Sequence, residues 1–124
     1  MIKVLCIDNS ETIRRVVQDC VQDLGFEFFE SENGKKGIEF AESIDDLDMI
    51  IFDWNMPVLN GKDFLIKVRD NAKLKNVVTF VLINIGEKQK ALEALELGAN
   101  MYLLKPFSVN NLQEKIEEIM KDAV

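Results

Sequence analysis

Two aspartates each close a short apolar run, and together they set the chemistry open to this chain. Asp8 follows Val4-Leu5-Cys6-Ile7, and Asp53 follows Met49-Ile50-Ile51-Phe52. A continuous apolar run bounded by turn signals suits a strand buried on both faces. Each acid then sits at a strand's carboxyl end, where open α/β sheets place their ligands. Taken alone, such an acid either caps its loop or serves a site. Two carboxylates brought together repel, so their meeting calls for a cation between them or a raised pKa. The chain has no histidine, which removes imidazole metal sites, imidazole bases and Ser-His triads in one step. Covalent chemistry is left to carboxylate, lysine, hydroxyl or thiol groups.

The elements that must position these acids alternate along the chain. After the first strand, Asn9 or Ser10 caps a helix whose inner face is Ile13, Val16, Val17, Cys20, Val21 and Leu24, and Gly25 stops it. Residues 26–30 form an aromatic-rich strand with two glutamates, which suits a sheet edge. Asn33-Gly34 turns into a second helix with Ile38, Phe40, Ala41 and Ile44 available to pack, and an acidic connection, Asp45-Asp46-Leu47-Asp48, leads to the strand that ends at Asp53. A third helix starts near Gly61 with Phe64, Leu65 and Val68 inward. Residues 77–83 read as a fourth strand, and Gly86 opens a fourth helix that ends near Gly98. Residues 101–104 make a fifth strand halted by Lys105-Pro106, and Leu112, Ile116, Ile119 and Met120 mark a last amphipathic helix. Five strands alternating with five helices predict a doubly wound α/β fold, a five-stranded parallel sheet of flavodoxin-like order 2-1-3-4-5. In that order the first and third strands are neighbours, so Asp8 and Asp53 meet.

Composition narrows the function. The 124 residues predict one domain, 1–124, with no output domain attached; 48% are apolar and 30% charged, a soluble balance. A net charge of −7 leaves no basic face for a phosphate backbone, so no direct nucleic-acid role is expected. No apolar run approaches spanning length, which predicts a cytoplasmic protein without membrane association. Cys6 and Cys20 fall on apolar patterns and read as buried, inert thiols.

Asp8-Asn9-Ser10, Asp53-Trp54-Asn55-Met56-Pro57 with Gly61, Gly98-Ala99-Asn100, and Tyr102-Leu103-Leu104-Lys105-Pro106-Phe107 occur in one order along the chain. This set resembles a response-regulator receiver domain, most nearly the single-domain chemotaxis type, over the whole chain. The resemblance implies that Asp53 is the phospho-acceptor and that Asp8, Asn9, Asp53 and the backbone carbonyl of Asn55 hold Mg²⁺. Lys105 would pair with the acids and then with the phosphoryl group, its bond to Pro106 cis, and Tyr102 would be the aromatic that changes rotamer on activation. The donor would be a phosphohistidine on a histidine kinase or phosphotransfer protein. The output would be a downstream protein target bound through the fourth helix, fifth strand and fifth helix, with the chain a monomer or a phosphorylation-dependent dimer. Such a domain catalyses at most its own phosphorylation and dephosphorylation. Phosphoryl transfer depends on positioning and charge neutralisation, which a carboxylate, a hard cation and an ammonium supply.

Two positions depart from the family pattern. Asn9 stands where the family has a second acid, so Asp8, Asp53, Lys105 and Mg²⁺ carry a formal +1 instead of 0. A unit charge lost ~4 Å away forfeits a gross ~4 kcal/mol at an effective dielectric of 20, partly offset by easier desolvation, and this predicts weaker Mg²⁺ binding. Ile83, by gap-free spacing from Lys105, stands where the family has a Ser or Thr hydroxyl; Asn84, next in line, could supply an amide instead. With that donor lost, phosphorylation is expected to bias the switch less firmly. The alternative is a receiver-like binding module that acts without phosphorylation. An enzyme on this fold is remote. The loop after the first strand is not a flavin phosphate loop and lacks the Asp-x-Asp of a haloacid-dehalogenase-type phosphatase, and Gly34-Lys35 and Gly61-Lys62 lack the rest of a P-loop.

Overall fold

The computed structural model describes residues 1–123; Val124, the last residue of the predicted domain, lies outside them. The apolar runs become strands β1 (Lys3–Ile7), β2 (Glu27–Ser31), β3 (Met49–Asp53), β4 (Val78–Asn84) and β5 (Met101–Lys105), all parallel, in the order β2-β1-β3-β4-β5. Helices α1 (Glu11–Asp23), α2 (Gly34–Ser43), α3 (Gly61–Asp70), α4 (Lys90–Glu96) and α5 (Val109–Ala123) make the crossovers. The flavodoxin-like doubly wound α/β architecture is the one its patterning predicts. β2 is an edge strand, every residue of it half-buried, whereas all five residues of β3 are buried.

Side chains alternate across the sheet, which builds two apolar layers. Leu5, Ile7, Ile50, Phe52, Val81 and Ile83 pack with Ala41 of α2, Phe64, Leu65 and Val68 of α3, and Ala91 and Ala94 of α4. On the other face Val4, Cys6, Met49, Ile51, Phe80 and Leu82 meet Val17, Cys20 and Val21 of α1 and Leu112 and Ile116 of α5. Each large side chain so buried contributes about 1.5–3 kcal/mol. Both cysteines are free and fully buried. Burial pushes both thiols up, that of Cys20 to about 12, which keeps them neutral and inert.

The caps are local chemistry. Ser10 Oγ accepts from Ile13 N at 3.2 Å, Asn33 Oδ1 from Lys36 N at 2.9 Å, and Asn60 Oδ1 from Asp63 N at 2.8 Å; each such cap is worth about 1 kcal/mol. Ser10, not Asn9, is therefore the first cap. α1 ends through the amides of Leu24 and Gly25 on the carbonyls of Cys20 and Gln22, with Gly25 at φ +80°.

One expectation changes. The helix expected from Gly86 begins only at Lys90; Ile85–Glu87 is a 3-10 turn containing Gly86, and α4 has seven residues with no side-chain cap. Gln89, at the N-cap, has helical backbone angles and makes no side-chain cap, and the Glu87 side chain is engaged elsewhere, as described below. Phe40, one of the residues available to pack, does so only at the rim and stays 37% exposed. The buried residues of α2 are Gly34, Gly37 and Ala41, and Phe40 turns its ring edge-on to Phe29 at 5.9 Å.

Candidate functional site

Ile7 of β1 pairs with Phe52 of β3, so the residues that follow, Asp8 and Asp53, leave adjacent strands side by side. Both are buried, Asp8 completely. Lys105, at the end of β5, reaches across: its Nζ lies 3.0 Å from Asp8 Oδ2 and 3.3 Å from Asp53 Oδ2. The cation expected between two carboxylates is this ammonium, itself only 15% exposed. The Lys105–Pro106 peptide is cis.

Backbone donors fix the other oxygens. Ser10 N donates to Asp8 Oδ1 at 2.9 Å, and Asn55 N to Asp53 Oδ1 at 3.1 Å. One ammonium does not balance two buried acids. Burial raises the Asp53 pKa above the usual carboxylate range, and the Asp8 charge adds to the rise, while Lys105 and the Asn55 amide pull it back.

The loop behind Asp53 is held tightly. Trp54 N donates to Leu82 O and Gly61 N to Trp54 O, each at 2.9 Å. A Cβ on Gly61 would stand 2.6 Å from both the Cα and the carbonyl oxygen of Trp54, so only glycine lets α3 start this close to the acid. The Trp54 ring is buried in the apolar layer. Val58 takes φ +73° with its side chain 75% exposed, a strained conformation for a β-branched residue of the kind that gathers at functional loops.

The remaining predicted residues divide. Asn9 is exposed in the β1–α1 loop, and among the described residues no hydrogen bond holds its side chain. Tyr102 is half-buried on β5, in register with Val81 and packed against the layer that holds Ile83. Ile83 is fully buried in that layer. The polar end of β4 is Asn84, exposed and in register with Lys105. Ile83 offers no polar atom there, and the Asn84 amide donates to Glu87 Oε1 at 3.2 Å.

Two participants were not foreseen. Arg14, one turn into α1, donates from Nη1 to the Asp8 carbonyl at 2.6 Å and from Nε to Glu30 at 2.7 Å, which ties the β1–α1 loop to edge strand β2. Glu87 accepts from Asn55 Nδ2 at 2.6 Å and Asn84 Nδ2 at 3.2 Å and pairs with Lys90. The Glu87–Lys90 spacing is visible in the sequence; that it faces Asn55 is not.

The donors expected from the sequence are all oxygen: two carboxylates, the Asn9 amide and the Asn55 carbonyl. They fit a hard divalent cation that prefers oxygen. Among the described residues no three Asp, Glu, His or Cys side chains gather into a metal-binding group.

The sequence profile of the response regulator receiver domain matches residues 4–117. The chain belongs to the response regulator receiver family. This receiver is 35% identical over 119 residues to the chemotaxis protein CheY1 of Helicobacter pylori, covering 95% of this chain and 96% of that one. It superposes on the chemotaxis response regulator CheY4 of Vibrio cholerae with a TM-score of 0.89 and 32% identity, over 96% of this chain and 98% of the other. The receiver domain of a Pseudomonas aeruginosa sensor histidine kinase, solved with a magnesium ion in its active-site cleft, aligns at TM-score 0.82 over 94% of each chain; at 23% identity that likeness is one of fold. The chain is thus a CheY-type receiver, a class of signalling protein and not of conventional enzymes. Among the described residues no helix is long and apolar enough to cross a membrane.

Proposed function

We propose that this receiver takes a phosphoryl group on Asp53 from a phosphohistidine of a partner kinase or phosphotransfer protein. The observation that carries the reading is the buried Asp8–Lys105–Asp53 group, with Lys105 Nζ within 3.3 Å of both acids. An Asp53 carboxylate oxygen attacks phosphorus, the phosphorus–nitrogen bond of the donor breaks, and the imidazole leaves with the bonding pair and takes up a proton. Lys105 is placed to follow the charge, moving from the carboxylates to the phosphoryl oxygens, and the Asn55 backbone amide fixes the attacking carboxylate.

Asp8, Asp53, the Asn55 carbonyl and the Asn9 amide would hold Mg²⁺, whose charge offsets that of the transferred group. With an amide at position 9 the affinity is weaker than for a site with three acids. Asn84 would supply the hydrogen bond that a hydroxyl gives elsewhere in the family, because Ile83 has no polar atom and is sealed in the core. Tyr102 and α4, which pack in the same apolar layer as Ile83, would carry the change to a protein partner on the α4–β5–α5 face. The exposed Leu92 and the partly exposed Leu95 of α4 and Val109 of α5 give that face apolar footing.

Incubation with Mg²⁺ and acetyl phosphate, read by intact mass, tests the assignment. The expected result is one phosphoryl adduct on the parent and none on Asp53→Asn. A folded parent that stays unmodified, or an adduct that persists in the variant, overturns it.

A further inference from the structure

Three donors from three segments end on one carboxylate at the rim of the site. Asn55 belongs to the loop that holds Asp53, Asn84 ends β4 beside Lys105, and Lys90 opens α4; their nitrogens meet on Glu87. Glu87 is only 28% exposed, and its carboxyl is held below the usual range by Lys90 first and then by Asn55. Both asparagine amides satisfy themselves on the same oxygen, Oε1. Neutral amides turn to the strongest acceptor in reach, and a phosphoryl group presents three anionic oxygens.

We propose that Glu87 is a positioning residue of the phosphoryl-transfer site: its carboxylate occupies the Asn55 and Asn84 amides as an internal anion that an incoming phosphoryl group must displace. The proposal rests on Asp53 being the phospho-acceptor. Before modification the carboxylate holds the β3–α3 loop against the 3-10 turn Ile85–Glu87. After it, Asn84 and Asn55 turn from Glu87 to the phosphoryl oxygens, and the turn leading into α4 loses these two ties. α4 has no side-chain cap of its own, and the Lys62–Glu93 pair at 3.7 Å, both side chains about half exposed, remains to tether it. The free energy that shifts the turn is then the difference between the two acceptors for the same amides.

The test compares the parent, Glu87→Gln, Asn84→Ala and the double variant. Each is held with Mg²⁺ and sub-saturating acetyl phosphate, and the steady fraction of adduct is read by intact mass. Side-chain amide signals of Asn55 and Asn84 are followed by NMR in the unmodified proteins. Glu87→Gln is expected to raise the ratio of modified to unmodified protein about fivefold, the lower end of ordinary site-to-site coupling, and to shift both amide signals. The gain is expected to fall in the Asn84→Ala background, where only Asn55 is left to compete for, which a merely structural role for Glu87 would not produce. A ratio within twofold of the parent, or a gain undiminished by Asn84→Ala, overturns the proposal while leaving Asp53 as acceptor. A parent that takes up no phosphoryl group sinks the acceptor reading, and this proposal with it.

Discussion

The two ends of the sheet carry opposite kinds of polar network, half-buried at Arg69 and buried at the two acids. Near the start of β4, the Arg69 guanidinium makes six hydrogen bonds of 2.7–3.1 Å: to the carbonyls of Lys75 and Val77, twice to Gly98 O, and to Thr79 Oγ1 and Asn100 Oδ1. All are neutral oxygens, and Asn100 Oδ1 also receives Thr79 N at 2.8 Å. At the far end two carboxylates share one ammonium, the Asp53 pKa is raised, and Val58 is strained. The Arg69 network spends its donors on fixing α3, β4 and the α4–β5 turn together. The Asp53 network leaves charge uncompensated, which a cation or a phosphoryl group with its metal can use. Saturation makes a staple; a deficit makes a site.

That contrast breaks first at Arg69. Arg69→Met strands the carbonyls of Lys75, Val77 and Gly98, and at about 1.5–3 kcal/mol for each hydrogen bond to a charged group, with partial recovery by water, the loss should be about 4 kcal/mol. Urea unfolding measures it, and phosphorylation of the protein that stays folded should be unchanged. A loss under 1 kcal/mol would show the network to be ornamental.

Lys105→Met comes next, with about 3 kcal/mol lost at neutral pH because two buried carboxylates lose their partner. The pH dependence separates it from Arg69. A carboxyl whose folded pKa lies above its unfolded value adds stability below the unfolded pKa and loses it as pH rises through the folded one. Removing the ammonium takes away one influence that lowers Asp53, so the deficit should be full at neutral pH and shrink as pH falls through the raised Asp53 pKa. Arg69→Met should show no such recovery. Parallel curves for the two variants would contradict the account.

The smallest effect on stability belongs to Asn9→Asp, which adds a third acid to the deficit. Position 9 is exposed, so the cost should stay below about 1 kcal/mol. Mg²⁺ affinity should rise about tenfold, equivalent to about 1.4 kcal/mol recovered from the gross Coulomb gain. A titration followed by Trp54 reads it, and equal affinities in the two proteins would mean that position 9 does not ligate.

Much of this was legible in the chain. Strand ends at Asp8 and Asp53 follow from apolar runs that stop at turn residues, and the parallel order then makes β1 and β3 neighbours. Helix starts at Asn33 and near Gly61 follow from side-chain oxygens and small residues in the right places. Their meeting was readable because it needs only local pattern plus the handedness of crossovers. The start of the fourth helix was not, because no side chain caps it at Gln89, and the 3-10 turn before it takes its shape from what Glu87 finds across the gap.

Sequence alone therefore determined the order of elements, the two apolar layers and the pairing of the acids, all set by periodicity along the chain. Tertiary structure alone decided that Ile83 faces the core while Asn84 holds the polar end of β4, and that Glu87 collects both asparagines. It also decided that Arg69 finds only neutral partners. Those outcomes depend on side chains from separate elements closing to hydrogen-bonding distance. A register shift of one residue, invisible to periodicity, exchanges a core position for a polar one at the end of a strand.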